Sequence, residues 1–227
     1  MGYWSTHKYE RMSVKAHVTE GFPGWQPLKE LISLADSGRN RAFLICLFAT
    51  GSRVSECLSL RSENFEVRPE EGIAIIRGAM LEKRYRKISQ LEGGKWVTEK
   101  LSVKRKPFPL VLKEPLTAYL LEWVNSKDGL LFPSTYTPRQ LTWHWAYHLI
   151  RELDLAVQPD LRKKLGVKRL WLHLFRSWRA SQLASDYGLD LESLLDYFSW
   201  EHLGTAKRYS RLGWKGLAAR MKPVNYL

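Results

Sequence analysis

Residues 48–60, FATGSRVSECLSL, set a guanidinium and a carboxylate, Arg53 and Glu56, inside a run of otherwise apolar and small side chains. Charged groups are rarely buried unless they are paired, so Arg53 must be a tethered structural ion or a group aimed into a cleft. The flanks narrow the geometry. Phe43, Leu44, Leu47 and Phe48 recur at helical spacing and stop at Gly51, a helix terminator, and Ser52 can cap a short following helix. That helix turns Val54, Cys57 and Leu58 to one side, while Arg53 and Glu56, three residues apart, share another. A fold for this chain has to bring a partner, protein or ligand, to that polar edge.

The remaining pattern predicts a mainly helical α+β domain. Residues 1–24 lack a period and end in the turn-forming GFPG, so they read as an N-terminal arm, with one domain over 25–227 and a C-terminal tail from about 213. Leu28, Leu31, Ile32 and Ala35 have helical spacing up to Ser37-Gly38. Residues 65–68, 72–77 and 106–112 are short β-rich runs separated by turn chemistry and predict a small antiparallel sheet. Helices are expected over 115–124, over 138–153 with Thr137 as cap and Pro138 in the first turn, and from His173 onward. With 227 residues and 44% hydrophobic content the chain can bury a substantial core, which excludes a disordered protein.

Charge points to the class of partner. Lys plus Arg number 36 against 23 Asp plus Glu, a formal net charge of +13, so a polyanion and above all nucleic acid is expected. Residues 77–106, between the second and third β runs, hold ten basic and three acidic side chains, more than half of that excess. They read as a basic hairpin lying along phosphates, against the plainer reading of a solvated surface hairpin. Cys46 and Cys57 read as buried thiols in a reducing compartment, with no metal site implied. No targeting segment or membrane-length apolar run occurs, so the protein is read as soluble and cytoplasmic with no membrane partner.

The last third adds HLFRSW, residues 173–178, with His173 and Arg176 on one side of a helix, and FSWEHLGTAKRY, residues 198–209, with Trp200 nine residues before Tyr209. Taken in order, TGSRVSE at 50–56, the basic hairpin, HLFR and the Trp200 to Tyr209 spacing resemble the tyrosine recombinase (phage integrase) family over roughly residues 25–215. The resemblance implies that family's catalytic domain: a small antiparallel sheet, a long basic β-hairpin and a DNA strand-cleaving and rejoining enzyme. It further implies catalytic roles for Arg53, Lys83, His173, Arg176, Trp200 and Tyr209, with Glu56 supporting Arg53. Lys83 has rivals in Lys87, Lys95 and Lys100, because this hairpin is longer than usual for the family. Trp200 stands where many relatives carry histidine; an indole donates but cannot act as a base.

The chemistry suits those residue types independently. Breaking a phosphodiester needs a nucleophile, charge stabilisation for a phosphorane-like transition state and a proton for the departing oxygen. Arg53 and Arg176 can fork onto the two non-bridging oxygens, and Tyr209 can attack phosphorus, with no ATP, metal or other cofactor required. For DNA grip the candidates are Arg139, with Trp143 and either His144 or Tyr147 along one helical face, and Lys163, Lys164, Lys168 and Arg169 just before HLFR. The partner is double-stranded DNA. The resemblance implies a homo-tetramer on DNA, monomeric when free, from a mobile, viral or plasmid element, with the helix-like spacing of Leu217, Ala218 and Met221 available for exchange between neighbours. Family members also carry a further N-terminal domain, which the first 24 residues cannot supply, so a catalytic fragment and a minimal enzyme both fit. Two other readings remain open: a type IB topoisomerase-like cleavage and religation, and a noncatalytic DNA-binding regulator that kept the fold.

Overall fold

The computed structural model describes residues 21–77, 80–92, 95–137 and 139–209; of 80–104, Thr205, Arg208 and Tyr209 it describes the backbone alone. The expected arm over 1–20 and the tail beyond 209 lie outside the described residues, as does Pro138.

The molecule is organised around α2 (Gly38–Thr50), nine of whose last nine residues, Ala42 to Thr50, are buried. The Ser37 hydroxyl accepts from the Asn40 N–H at its start, and Gly51 closes it in the left-handed conformation. Around it pack α1 (Trp25–Ser33), α3 (Val54–Leu58), α4 (Thr117–Asn125) and α7 (Leu172–Asp186). One continuous core runs from Leu28 through Phe43, Phe48, Phe132 and Trp178 to Phe198. Burying a side chain of this size stabilises by about 1.5–3 kcal/mol, which is why a helix enclosed on every side can be nearly free of charge.

The sheet follows the expected runs. Strands β1 (Phe65–Arg68), β2 (Ile73–Ile76) and β5 (Phe108–Val111) pair antiparallel in the order β1-β2-β5, with Phe65 opposite Ile76 and Ile76 opposite Phe108. Ala74, Ile76, Phe108 and Leu110 face the core, as period-2 alternation requires. Between β2 and β5, β3 (Met80–Glu92) and β4 (Lys95–Lys104) form a separate antiparallel ribbon with Lys83 opposite Leu101, and the base of β3 runs beside α3.

One helical expectation needs correction, and one helix was not expected. The helix predicted over 138–153 is α5 (Trp143–Ala156): its cap is Thr142, whose hydroxyl accepts from the Trp145 N–H, not Thr137. The chain before it doubles back, Ser134 N–H donating to Arg139 O and Leu141 N–H to Phe132 O, so those residues have their backbone groups paired across a turn and cannot be helical. After α5 comes α6 (Pro159–Leu165), too short for a periodic signal, started by Pro159 and closed by Gly166 in the left-handed conformation. The last two helices are α8 (Leu191–Phe198) and α9 (Leu203–Tyr209). No helix among the described residues is long and apolar enough to cross a membrane. Cys46 and Cys57 are buried free thiols, and burial pushes the Cys57 thiol well up.

Candidate active site

Two helix C-termini converge, and arginines occupy the junction. The last carbonyls of α2 and α8 have no partner within their own helices and carry the negative ends of the helix dipoles. Arg176, on α7 and 1% exposed, donates from Nη1 to Gly51 O at 2.6 Å and from Nη2 to Phe198 O at 3.3 Å. Its guanidinium also lies 4.7 Å from the Phe198 ring centre and 5.3 Å from that of Trp200. A buried cation is thereby compensated by dipoles and ring faces.

Glu56 links this buried charge to an exposed one. Its carboxylate is fully buried; Oε1 lies 2.6 Å from Arg53 Nη1, and Oε2 accepts the Arg53 backbone N–H at 2.9 Å while lying 3.9 Å from Arg176 Nη1. Arg53 is the residue preceding α3, and its side chain remains 42% exposed. The two arginines expected to fork a phosphate are therefore brought together, but unequally. Arg53 faces solvent with donors to offer, whereas Arg176 is buried beneath it with donors on the two helix ends.

Gly51 makes the junction possible. Its φ is +55°, and an added Cβ would stand 2.5 Å from Phe198 Cε1 and 3.2 Å from Arg179 Cγ. No residue with a side chain fits between the helix ends without displacing them.

Arg53 opens into a cleft of about 780 Å³ whose wall includes His173, Trp143, Tyr147, Arg151 and Arg169. His173, in the first turn of α7, keeps surface open to solvent at this cleft. Crowding by protein atoms, and then the cations of Arg176 and Arg53, push its pKa down to about 4, so the imidazole is neutral at neutral pH. On α5 the rings of Trp143 and Tyr147, four residues apart, stack at 5.4 Å with 52% and 38% exposure, and His144 meets the edge of Trp143. Trp143 and Tyr147 thus face the cleft together, as the helical spacing implied.

Trp200 follows Ser199, whose φ of 49° turns the chain out of α8. Its ring stacks on Phe198 at 4.5 Å, so it braces the junction beside Arg176. Buried Ala206 seats α9 against the core, and Tyr209 closes that helix. The side chains of Tyr209 and Lys83 lie outside the described residues; the backbone places Lys83 on β3, the strand beside α3.

The expected DNA-gripping residues divide. Arg169 lines the cleft, 3.9 Å from Asp154, and Asp154 also accepts from the Leu170 N–H at 2.7 Å, fixing the segment that leads into His173. Lys163 and Lys168 are exposed on and after α6. Lys164 instead reaches Glu30 of α1 at 3.2 Å, and Arg139 is exposed in the turn before α5, outside the residues that line the cleft.

Two buried arginines were not singled out from sequence. Arg179 is held by Glu114 at 2.6 and 2.7 Å, by Gln182 at 2.8 Å and by the Tyr197 hydroxyl at 3.3 Å. Arg105 joins the same helix junction from the base of the ribbon. Nothing in a list of basic residues separates Arg105 from its nine neighbours; only its burial does.

Comparison with known proteins identifies the family and agrees with the fold. A model of the phage integrase family matches residues 26–213. No curated protein matches the chain in sequence. Among solved structures the chain is similar to XerH site-specific recombinase bound to palindromic difH substrate, a post-cleavage complex, at 18% identity and a TM-score of 0.58, covering 97% of this chain and 60% of that one. It is similar to XerA recombinase at 19% identity and a TM-score of 0.56, covering 89% and 65%. For the Tn1549 transposon integrase in complex with circular intermediate DNA the values are 12% and 0.54, covering 86% and 64%. The chain spans less than two thirds of the length of each, and at such identities the likeness is one of fold.

Proposed function

Because the chain belongs to the phage integrase family, we propose that it is a site-specific DNA recombinase that cleaves and rejoins strands through a 3′-phosphotyrosyl intermediate. The observation that carries this reading is the exposed Arg53, held through buried Glu56 next to buried Arg176 and opening into the cleft that His173 lines.

Duplex DNA lies across that cleft with the scissile phosphate at Arg53, whose fork takes non-bridging oxygens. Arg176 adds positive potential from beneath, where its own burial keeps water from screening the charge. The Tyr209 oxygen attacks phosphorus and its proton passes to neutral His173. The P–O5′ bond breaks, and the departing O5′ takes a proton from the hairpin lysine, Lys83 being the first candidate. The phenol's pKa, near 10, makes it a better leaving group than an alkoxide, so a 5′-hydroxyl can attack the phosphotyrosyl bond and reseal DNA without an external energy source. Trp200 braces the junction that holds Arg176 in place.

Lys163, Lys168 and Arg169 supply phosphate contacts beside the cleft, with Arg139 and Lys164 further out, and Trp143 and Tyr147 lie against the duplex. Attack by the 5′-hydroxyl of a second duplex gives strand exchange, which calls for a tetramer on two duplexes, with residues beyond 213 joining neighbours.

The test is incubation with a random-sequence library of suicide duplexes, each nicked so that the 5′-hydroxyl fragment diffuses away. The wild type accumulates a covalent protein–DNA adduct, and Tyr209→Phe forms none. An adduct surviving Tyr209→Phe overturns the nucleophile, and no adduct with the wild type overturns strand cleavage.

A further inference from the structure

Arg105 immediately follows β4 and leads into β5, where the basic ribbon rejoins the sheet. Its side chain is 2% exposed. Nε and Nη2 donate to Tyr197 O at 3.2 and 2.7 Å, and Nη1 donates to Thr50 O and to Ser52 Oγ, both at 3.1 Å. The guanidinium lies 3.6 Å from the Phe108 ring centre. Among the described residues no carboxylate comes within ion-pair distance of it. Its neighbour Lys106 donates its backbone N–H to Ser199 Oγ at 3.2 Å and its Nζ to Asp196 at 2.7 Å.

Even with helix-end carbonyls and a ring face around it, a buried cation is a costly way to fasten a strand; an apolar side chain would fill the space without desolvating a charge. A guanidinium does something that an apolar group cannot: its rigid fork reads the direction and spacing of several acceptors at once. Those acceptors are the ends of α2 and α8. Arg105 takes Thr50 O and Tyr197 O, and Arg176 takes the next carbonyl in each case, Gly51 O and Phe198 O. Ser52, a third acceptor for Arg105, precedes Arg53 directly. The foot of the ribbon is thereby registered, within hydrogen-bonding tolerance, against the same two helix ends that hold the arginine pair.

We propose that Arg105 is a positioning residue that registers the basic β3–β4 ribbon against the Arg53–Glu56–Arg176 frame, setting where the ribbon's proton donor stands relative to the departing O5′. The inference rests on the strand-cleavage reading and assigns Arg105 no contact with DNA. It differs from a merely structural role in one respect: the defect of an Arg105 variant falls on the leaving-group step.

Single-turnover cleavage is therefore compared on two suicide duplexes, one with an ordinary scissile phosphate and one with sulfur in place of O5′, whose thiolate departs without a proton. General acid assistance contributes about 10²–10⁴-fold. Arg105→Ala is expected to slow cleavage roughly 100-fold on the oxygen substrate and under about 10-fold on the sulfur substrate. Arg105→Lys keeps the charge but loses the fork, shows the same selectivity more weakly, and serves where the alanine variant fails to fold. Alanine changes at Lys83, Lys87, Lys95 and Lys100 run in parallel identify the donor. Equal slowing on both substrates, or no slowing, overturns the inference while leaving strand cleavage standing. A wild type that forms no adduct with either substrate overturns the reading beneath it.

Discussion

Replacing Gly51 with alanine tests the helix junction most directly. At φ +55° the left-handed conformation costs an alanine about 1–2 kcal/mol. The new Cβ meets Phe198 Cε1 at 2.5 Å and both Phe198 Cζ and Arg179 Cγ at 3.2 Å, and neither side chain has room to retreat, since Phe198 stacks on Trp200 and Arg179 is held by Glu114. Overpacking of this kind adds about 1–3 kcal/mol. The sum, about 2–5 kcal/mol, corresponds to roughly 4–20 °C in melting temperature for a chain of this size. Gly72 provides the control: its φ is +69°, but an added Cβ meets nothing within 4 Å, so Gly72→Ala carries the conformational cost alone. Thermal unfolding followed by circular dichroism should place Gly51→Ala about 2 °C or more below Gly72→Ala. Cleavage should fall in the first variant and persist in the second, because pushing Phe198 moves the carbonyl and ring that hold Arg176. Equal melting points for the two variants would refute the steric argument.

Three further outcomes follow from buried charge. Glu56→Gln retains an acceptor for the Arg53 N–H but leaves two neighbouring cations without their shared anion, and should destabilise by about 3 kcal/mol in urea titration; a change under about 1 kcal/mol would show that the link carries little. Glu114→Leu strands the Arg179 cation and should cost about 3–5 kcal/mol, whereas Glu114→Leu combined with Arg179→Met should recover most of it, and a double variant no better than the single would count against the pairing. For His173 the folded pKa, about 4, lies below its ordinary value of 6.5, so the unfolded chain takes up the proton first. Its contribution to stability is complete above pH 6.5 and declines as pH falls towards 4. Single-turnover cleavage should likewise stay level from pH 7.5 to 6, and a drop centred near 6.5 that His173→Gln abolishes would contradict the assignment.

Local sequence rules carried far in some places and stopped short in others. The end of α2 was legible because a left-handed glycine terminates a helix wherever it occurs, and the Arg53–Glu56 pairing because residues three apart share a helical face. The three strands were legible from their alternation and flanking turns. The start of α5 was misplaced because Thr137-Pro138 makes as good a local start as Thr142, and only the pairing of 134 with 139 and of 132 with 141 excludes helix there. Likewise α6 is too short to show a period.

By itself the chain's order of residues determined the helical class, the strand positions, the basic ribbon and the spaced motifs that match the phage integrase family, since these depend on backbone propensity and on separations along the chain. Tertiary structure alone decided which of the many arginines are buried, that Arg105 and Arg176 take successive carbonyls from the ends of α2 and α8, and that Lys164 turns to Glu30. The physical reason is that a buried cation is defined by its acceptors, and here these come from carbonyls 55, 92 and 125 residues away, a separation that no local pattern encodes.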